Sequence, residues 1–531
     1  MSDTHFAITI FILLLLIASG VTMAAKWIRV PYTLLLVIVG LVISPMRFLP
    51  TVHISPELIL LIFLPALLFE AAWNLKLDHL RENLLPILTL AIIGVGLSVG
   101  VIGVILHYGI GFSWSLALLF GAMISATDPV SVLALFKKFG LPGRLTTIVE
   151  GESLFNDGTA VVIFRIILGI AIGSGVHSTG GLMMESLREF GLVVFGGLAV
   201  GVVIGIISSA LTSYFDDHLL EITLTTIAAY GSFLLAESLH VSPVIAVLAA
   251  GLIIGNYGRE RGMSPTTQVT VNSFWEYAAF VVNSLVFLLI GMEMRIDELA
   301  QSLTSIAWAV GAMLVSRLVS VYGLMPLINR YVEKVSLSWQ HVLFWGGLRG
   351  SLSIALALSL PTSLPGRSQL VVMIFGAVMF SLLGQGLTIT RLLKWLGLIQ
   401  PQPKFREYEI LQGKLMAEAA ALADLDSLRD QGLVTDRVWQ SLREGLAKSR
   451  EELSHRVAQL DEMEQAQQQH LRRIRRHLID RKKARLNQLF REGMISESSF
   501  NELKSDFDKE IATAQDTSVS VEAGKAGAES D

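Results

Sequence analysis

The chain has 531 residues, 52% of them hydrophobic and only 16% charged, with 45 Gly, 15 Pro and no Cys. Its mean hydropathy is +0.59, whereas an ordinary globular domain is roughly 25% charged. This excludes a wholly soluble enzyme, while the missing Cys excludes a disulfide scaffold and the net charge of -4 argues against a basic nucleic-acid binder.

Charge is spread unevenly. Lys, Arg, Asp and Glu make up 41 of residues 1–396 but 45 of the last 135, so 1–396 reads as a membrane domain and the rest as a soluble tail. Apolar stretches able to cross ~30 Å of hydrocarbon are predicted at 6–25, 31–46, 54–75, 84–108, 113–137, 146–172, 187–212, 219–238, 241–256, 272–294, 300–327, 339–361 and 368–396, thirteen in all. The flank before the first carries no Lys or Arg, and the stretch is long for a signal peptide, so it reads as a retained helix. Breaks after odd-numbered stretches hold thirteen Lys or Arg, among them Lys137, Lys138 and Arg144; those after even-numbered ones hold only Arg47, Arg188, Arg295 and Arg367. Cations stay on the cytoplasmic side, so the N-terminus is expected outside and the tail in the cytoplasm.

The tail, 397–513, is expected to be helical from about Phe405 to Thr513. It repeats itself: Leu428, Gly432, Thr435, Asp436 and Trp439 recur as Leu489, Gly493, Ser496, Glu497 and Phe500. Gly ends one helix and Thr or Ser caps the next, so each copy is read as a small hairpin with one aromatic anchor. The basic run from Arg472 to Arg485 reads as a solvated helix face or one lying on anionic lipid, and 514–531 reads as disordered.

Ionisable groups inside a membrane are costly, so each is a functional candidate. At 1.5 Å per residue, Asp157 lies ~16 Å into the sixth stretch and Glu152 ~9 Å, whereas Arg165, ~28 Å along, reaches the opposite headgroups. Ser153 and Asp157 share one helix face, and Glu152 and Asn156 share the next; oxygen ligands gathered at mid-membrane suit a small hard cation. The fifth stretch contains Ser125-Ala126-Thr127-Asp128-Pro129-Val130, where Pro should break the helix at Thr127–Asp128. The twelfth has a second break at Gly346-Gly347-Leu348-Arg349-Gly350, with Arg349 placed to neutralise freed carbonyls. Paired broken helices in two halves point to a secondary transporter with inverted repeats. Arg317 and Glu152 lie at matching depth and are read as a structural ion pair. Glu70 is either a pathway carboxylate or an interfacial residue.

With Asp128 and Asp157 as a pair, an intramembrane aspartyl protease is a rival, but the Gly-x-Gly-Asp signature is missing; a cation channel fits poorly with broken-helix halves. No P-loop is present, and no cofactor is expected beyond transported ions.

The motifs Ala126-Thr127-Asp128-Pro129-Val130, Gly151-Glu152-Ser153-Leu154-Phe155-Asn156-Asp157, Phe287-Leu-Leu-Ile-Gly291 and Gly346-Gly347-Leu348-Arg349-Gly350 resemble the monovalent cation:proton antiporters, in the branch of NhaP-type and NHE-type sodium/proton exchangers. The resemblance covers about 1–396. It implies an all-α polytopic fold of about thirteen helices with inverted repeats and two crossed discontinuous helices. It also implies a homodimer in the cell (inner) membrane, with a core domain that moves against a dimerisation domain. By the same likeness Asp157 alternately binds cation and proton, Ser153, Asp128, the Thr127 carbonyl and Glu70 complete or line the site, and Glu152 with Arg317 is structural. The implied reaction is exchange of Na+ or Li+ for H+, serving Na+ extrusion and pH homeostasis; K+/H+ and Ca2+/H+ exchange stay open. One-for-one stoichiometry is expected because Asn156 stands where relatives that move two protons carry a second acid. The tail does not match the regulatory tails of animal exchangers, so no regulation carries over.

Overall fold

The computed structural model describes residues 3–28, 31–44, 58–172, 182–214, 217–293, 299, 301–399, 403–431 and 433–461, with isolated positions beyond Asp461. Contacts divide the chain into two compact units, Met1–Ile399 and Gln400–Asp531. Among the described residues of both, the regular structure is helical and there is no strand. That outcome follows for the first unit from its apolar runs, because lipid offers no partner to a backbone N–H or C=O and a helix satisfies both within one segment.

Among the described residues, nine helical runs are long and apolar enough to cross a membrane, from Leu84–Ile110 to Arg367–Trp395; four shorter apolar helices, Thr9–Ala25, Tyr32–Ile43, Ile59–Asn74 and Pro243–Gly258, coincide with the first, second, third and ninth predicted stretches. Local chemistry sets their ends. Ser113, Ser242 and Ser336 each precede a helix, and each hydroxyl accepts from the N–H three residues on, at 3.4, 3.4 and 3.3 Å. Gly111 and Gly140 stop helices at φ 75° and 65°, in the left-handed region that costs glycine nothing.

Two of the nine runs are interrupted. The first splits into Trp114–Ser125 and Val130–Phe139, and the second into Leu337–Gly346 and Ser351–Leu358. Hydropathy did not reveal a second kind of irregularity. Wide π-helical turns lie at Leu58–Phe63, Thr89–Gly94, Ile254–Gly258 and Phe380–Gln385, and they leave the apolar pattern unbroken. Arg165 is exposed, as a residue at the headgroup level should be. Arg47, Arg295 and most of the second tail repeat lie outside the described residues, as do most of the basic run and all of 514–531; within that repeat Ser496 Oγ accepts from the Ser499 N–H at 3.3 Å.

In the second unit, Pro403–Asp430 and Asp436–Asp461 form a helical hairpin. Trp439 anchors its turn: the indole N–H donates to Asp426 at 2.9 Å, and the Arg429 and Arg443 guanidinium groups sit 4.0 and 4.9 Å from the indole ring.

Within the first unit the helix Tyr32–Ile43 lies directly against Pro265–Glu293. Gly40 and Gly291 meet at the contact. A Cβ on Gly40 would stand 2.9 Å from the Met292 backbone nitrogen, and one on Gly291 3.0 Å from that of Leu41. Such an approach is open only to glycine and replaces the missing hydrophobic drive between helices in lipid with backbone contact. It accounts for the glycine in the Phe287–Gly291 motif. Gly291→Leu should therefore cost about 1–3 kcal/mol and lower the melting temperature of the purified protein in detergent. An unchanged melting temperature would show that the two backbones are not held this close.

Candidate functional site

The two interruptions cross one another. Asp128 precedes Pro129, which disfavours helix at that position, and its N–H donates to the Leu348 carbonyl in the other break at 2.7 Å. Gly350 has no Cβ because the Asp128 carboxylate occupies that space. Each break leaves a helix C-terminus with orphan carbonyls and partial negative charge, and an arginine meets each one. Arg349 Nη1 donates to the Ser125 and Ala126 carbonyls at 2.7 and 3.2 Å. Arg317 donates to the Leu343 carbonyl through Nη2 at 2.8 Å and Nε at 3.2 Å. The Arg349 backbone N–H is taken by Ser381 Oγ at 2.8 Å, which the π-helical turn at Phe380–Gln385 delivers.

The unbroken helix Gly143–Ala171 runs past the first break and secures it. Ser153 Oγ donates to the Thr127 carbonyl at 2.5 Å. The Asn156 amide donates to Thr127 Oγ1 at 2.7 Å, and its oxygen accepts from the Thr127 N–H at 3.4 Å. Asp128 Oδ1 accepts from the Val130 N–H at 3.0 Å, capping the second half-helix. One turn toward the helix start, Glu152 forms a bidentate ion pair with Arg317, Nη1 to Oε1 and Nη2 to Oε2. Both side chains are buried, at 3% and 10% exposure.

A cavity of about 130 Å³ opens beside these groups, lined by Glu70, Thr127, Asp128, Ser153 and Asp157 among others. Asp157 Oδ1 is buried with no hydrogen-bond partner among the described residues, so one carboxylate oxygen is left for a ligand. Glu70 reaches the cavity from the helix Leu64–Asn74, with Asn74 donating to its Oε1 at 2.7 Å. No three acidic or His side chains come within reach of one metal ion among the described residues. The cavity is lined by the carboxylates of Glu70, Asp128, Glu150 and Asp157 together with the neutral oxygens of Thr127 and Ser153.

All five residues that the sequence put forward for the ion thus border one cavity, and the four supporting ones brace the two breaks around it. Glu150 and Asn283 also line the cavity and were not singled out. Glu150 was readable, standing seven residues before Asp157 on the same helix face. Asn283 belongs to a helix that only the fold brings near. The Leu343 carbonyl was likewise missed as a partner of Arg317, since no sequence pattern links them.

A membrane bundle whose broken helices cross at a buried carboxylate defines a secondary ion transporter. The family model described as sodium/hydrogen exchanger, transmembrane, matches residues 10–395. The chain is 46% identical over 424 residues to the Na+/H+ antiporter ApNhaP of Aphanothece halophytica, covering 79% of this chain and 80% of that protein. It is 40% identical over 472 residues to the Na+/H+ antiporter NhaG of Bacillus atrophaeus, covering 87% and 88%. In structure it resembles the sodium proton antiporter MjNhaP1 of Methanocaldococcus jannaschii, with a TM-score of 0.61 at 20% identity, over 75% of this chain and 98% of that one; this last likeness concerns the fold. The chain belongs to the sodium/hydrogen exchanger family and is a multi-pass membrane protein.

Removing one partner of a buried ion pair strands the other charge at a cost of ~3–5 kcal/mol. Arg317→Ala additionally strips the Leu343 carbonyl of its donors, so it should sharply lower thermal stability and expression. Arg317→Lys should recover part of the loss, since an ammonium neutralises Glu152 but cannot serve carboxylate and carbonyl with the same fork. A fully stable Arg317→Ala protein that no longer transports would instead place Arg317 in the ion path.

Proposed function

We propose that this protein exchanges Na+ for H+ across the cell membrane, with Asp157 as the group that carries either ion. The observation that carries this reading is the Asp157 carboxylate oxygen left without a partner at the crossing of two broken helices. A bare carboxylate in a low-dielectric interior is costly, so it is neutralised by a proton or by a small cation but not by both. Loading one ion therefore releases the other. If the helices that carry the site move only when that charge is neutralised, exchange is obligatory and needs no ATP.

The Thr127 carbonyl and the Ser153 hydroxyl are oxygens of the kind Na+ takes, and Asp128 and Glu70 complete or line its path. Among the described residues no three acidic or His side chains stand close enough to share one ion, which favours a monovalent ion over Ca2+, since Ca2+ takes 6–8 oxygens and usually several carboxylates. Asn156, which hydrogen-bonds Thr127 through both amide atoms, has no proton to exchange, which supports one Na+ for one H+. Cations around Lys137 and Arg144 favour a cytoplasmic mouth for the cavity, hence an outside N-terminus and a cytoplasmic tail. The working unit is a homodimer, with residues 1–396 as the exchange domain and the tail as a modulator. A protein ending near Gln400 should still exchange, with altered pH dependence; a folded but inactive truncation would draw the tail into the mechanism.

Exchange is measured by adding Na+ to proteoliposomes that hold a pH gradient under a clamped potential. The wild-type protein should dissipate the gradient and Asp157→Asn should not. The Na+ gradient that balances a given pH gradient should be independent of voltage. A reproducible voltage dependence of that balance point would overturn the one-for-one assignment and implicate a second carboxylate.

A further inference from the structure

Glu150, Ser153 and Asp157 stand on one helix, Gly143–Ala171, and all three line the same cavity. Seven residues at 100° each return to within about 20° of the starting face, so Glu150 is in line with Asp157. At 1.5 Å per residue it lies about 10 Å from it along the axis, toward the Gly143 end. The two other acidic groups near the site are already engaged. Asp128 caps Val130 and Glu70 accepts from Asn74. Glu150, half-buried at the cavity wall, has neither a hydrogen bond nor an ion pair among the described residues. The charges acting on it are Glu70, across the cavity, and Lys137, which is exposed in the last turn of Val130–Phe139.

A carboxylate with no fixed partner, in a cleft with low-dielectric walls, raises the local concentration of cations. We propose that Glu150 is the recruiting carboxylate of this transporter. It draws the alkali cation into the mouth of the cavity on its way to Asp157 and takes no part in the exchange itself. The proposal rests on the reading of Asp157 as the exchanging group. It separates two tasks, since Asp157 decides whether Na+ replaces H+ while Glu150 sets how much Na+ is needed.

The full-length protein in proteoliposomes, with initial rates measured against Na+ concentration at fixed pH, tests the separation. Glu150→Gln should raise KM for Na+ about 3- to 10-fold at low ionic strength, as expected for one charge at this distance, with kcat and melting temperature unchanged. Glu150→Asp should restore most of the loss. Adding choline chloride should shrink the difference between wild type and Glu150→Gln, because the Debye length falls from about 30 Å at 0.01 M to about 8 Å at 0.15 M. A purely structural role for Glu150 predicts the opposite pattern, a fall in kcat or stability that added salt leaves in place. An unchanged KM, or a KM rise insensitive to salt, overturns the proposal while leaving the Asp157 reading intact, provided Asp157→Asn abolishes exchange. Continued Na+/H+ exchange by Asp157→Asn overturns both.

Discussion

Four helix ends meet inside the bundle, at a depth where backbone groups have no water to turn to. Breaking a helix there frees carbonyls at one end and N–H groups at the other, and every other feature of the site follows from how they are satisfied. Arg349 takes the carbonyls of the first break and Arg317 takes one at the second. Asp128 closes the N-terminus of Val130–Phe139, and a backbone bond from Asp128 to Leu348 ties the two breaks together. Without these partners the extended segments would cost several kcal/mol per orphan group. With them, the chain can expose carbonyl oxygens toward a cavity without unravelling.

The arginines also settle the charge of the region. Arg317 is matched by Glu152 in a buried pair, so it adds no net charge beside the cavity. Arg349 donates to carbonyls and acts on Asp157 through space without forming an ion pair with it. A salt-bridged Asp157 would already be neutralised, whereas a wholly isolated one would be costly to leave charged. Asn156 holds the neighbouring backbone in place without adding a second titrating group.

The contacts of Tyr32–Ile43 are built from different materials. Tyr32–Ile43 and Pro265–Glu293 are pressed together backbone to backbone at Gly40 and Gly291, a fit that leaves no room for a side chain at either position. Between Tyr32–Ile43 and Val130–Phe139, by contrast, the hydroxyl pair Thr33 and Ser131, 2.5 Å apart and buried, joins the half-helix after the first break to its neighbour. A single hydroxyl bond can be exchanged for another at small net cost, whereas interlocked glycines cannot be parted without opening a void.

The amino-acid sequence by itself determined the class of the protein. Hydropathy placed the helices, because each apolar run must satisfy its own backbone in lipid. Pro129 and the glycines around Arg349 marked both breaks, because their backbone preferences act on immediate neighbours. Depth counting singled out Asp157 and matched Glu152 to Arg317, because rise per residue is fixed. The π-helical turns escaped notice, since they change hydrogen-bond register without changing composition. Only the tertiary structure decided that Arg349 caps carbonyls 224 residues away, that Asn283 borders the cavity, and that Arg317 serves Leu343 as well as Glu152. Those facts depend on which helices touch and at what height. That is fixed by packing over the whole bundle, where glycines permit close approach and side-chain volumes forbid it, and no local window of sequence contains both sides of such a contact.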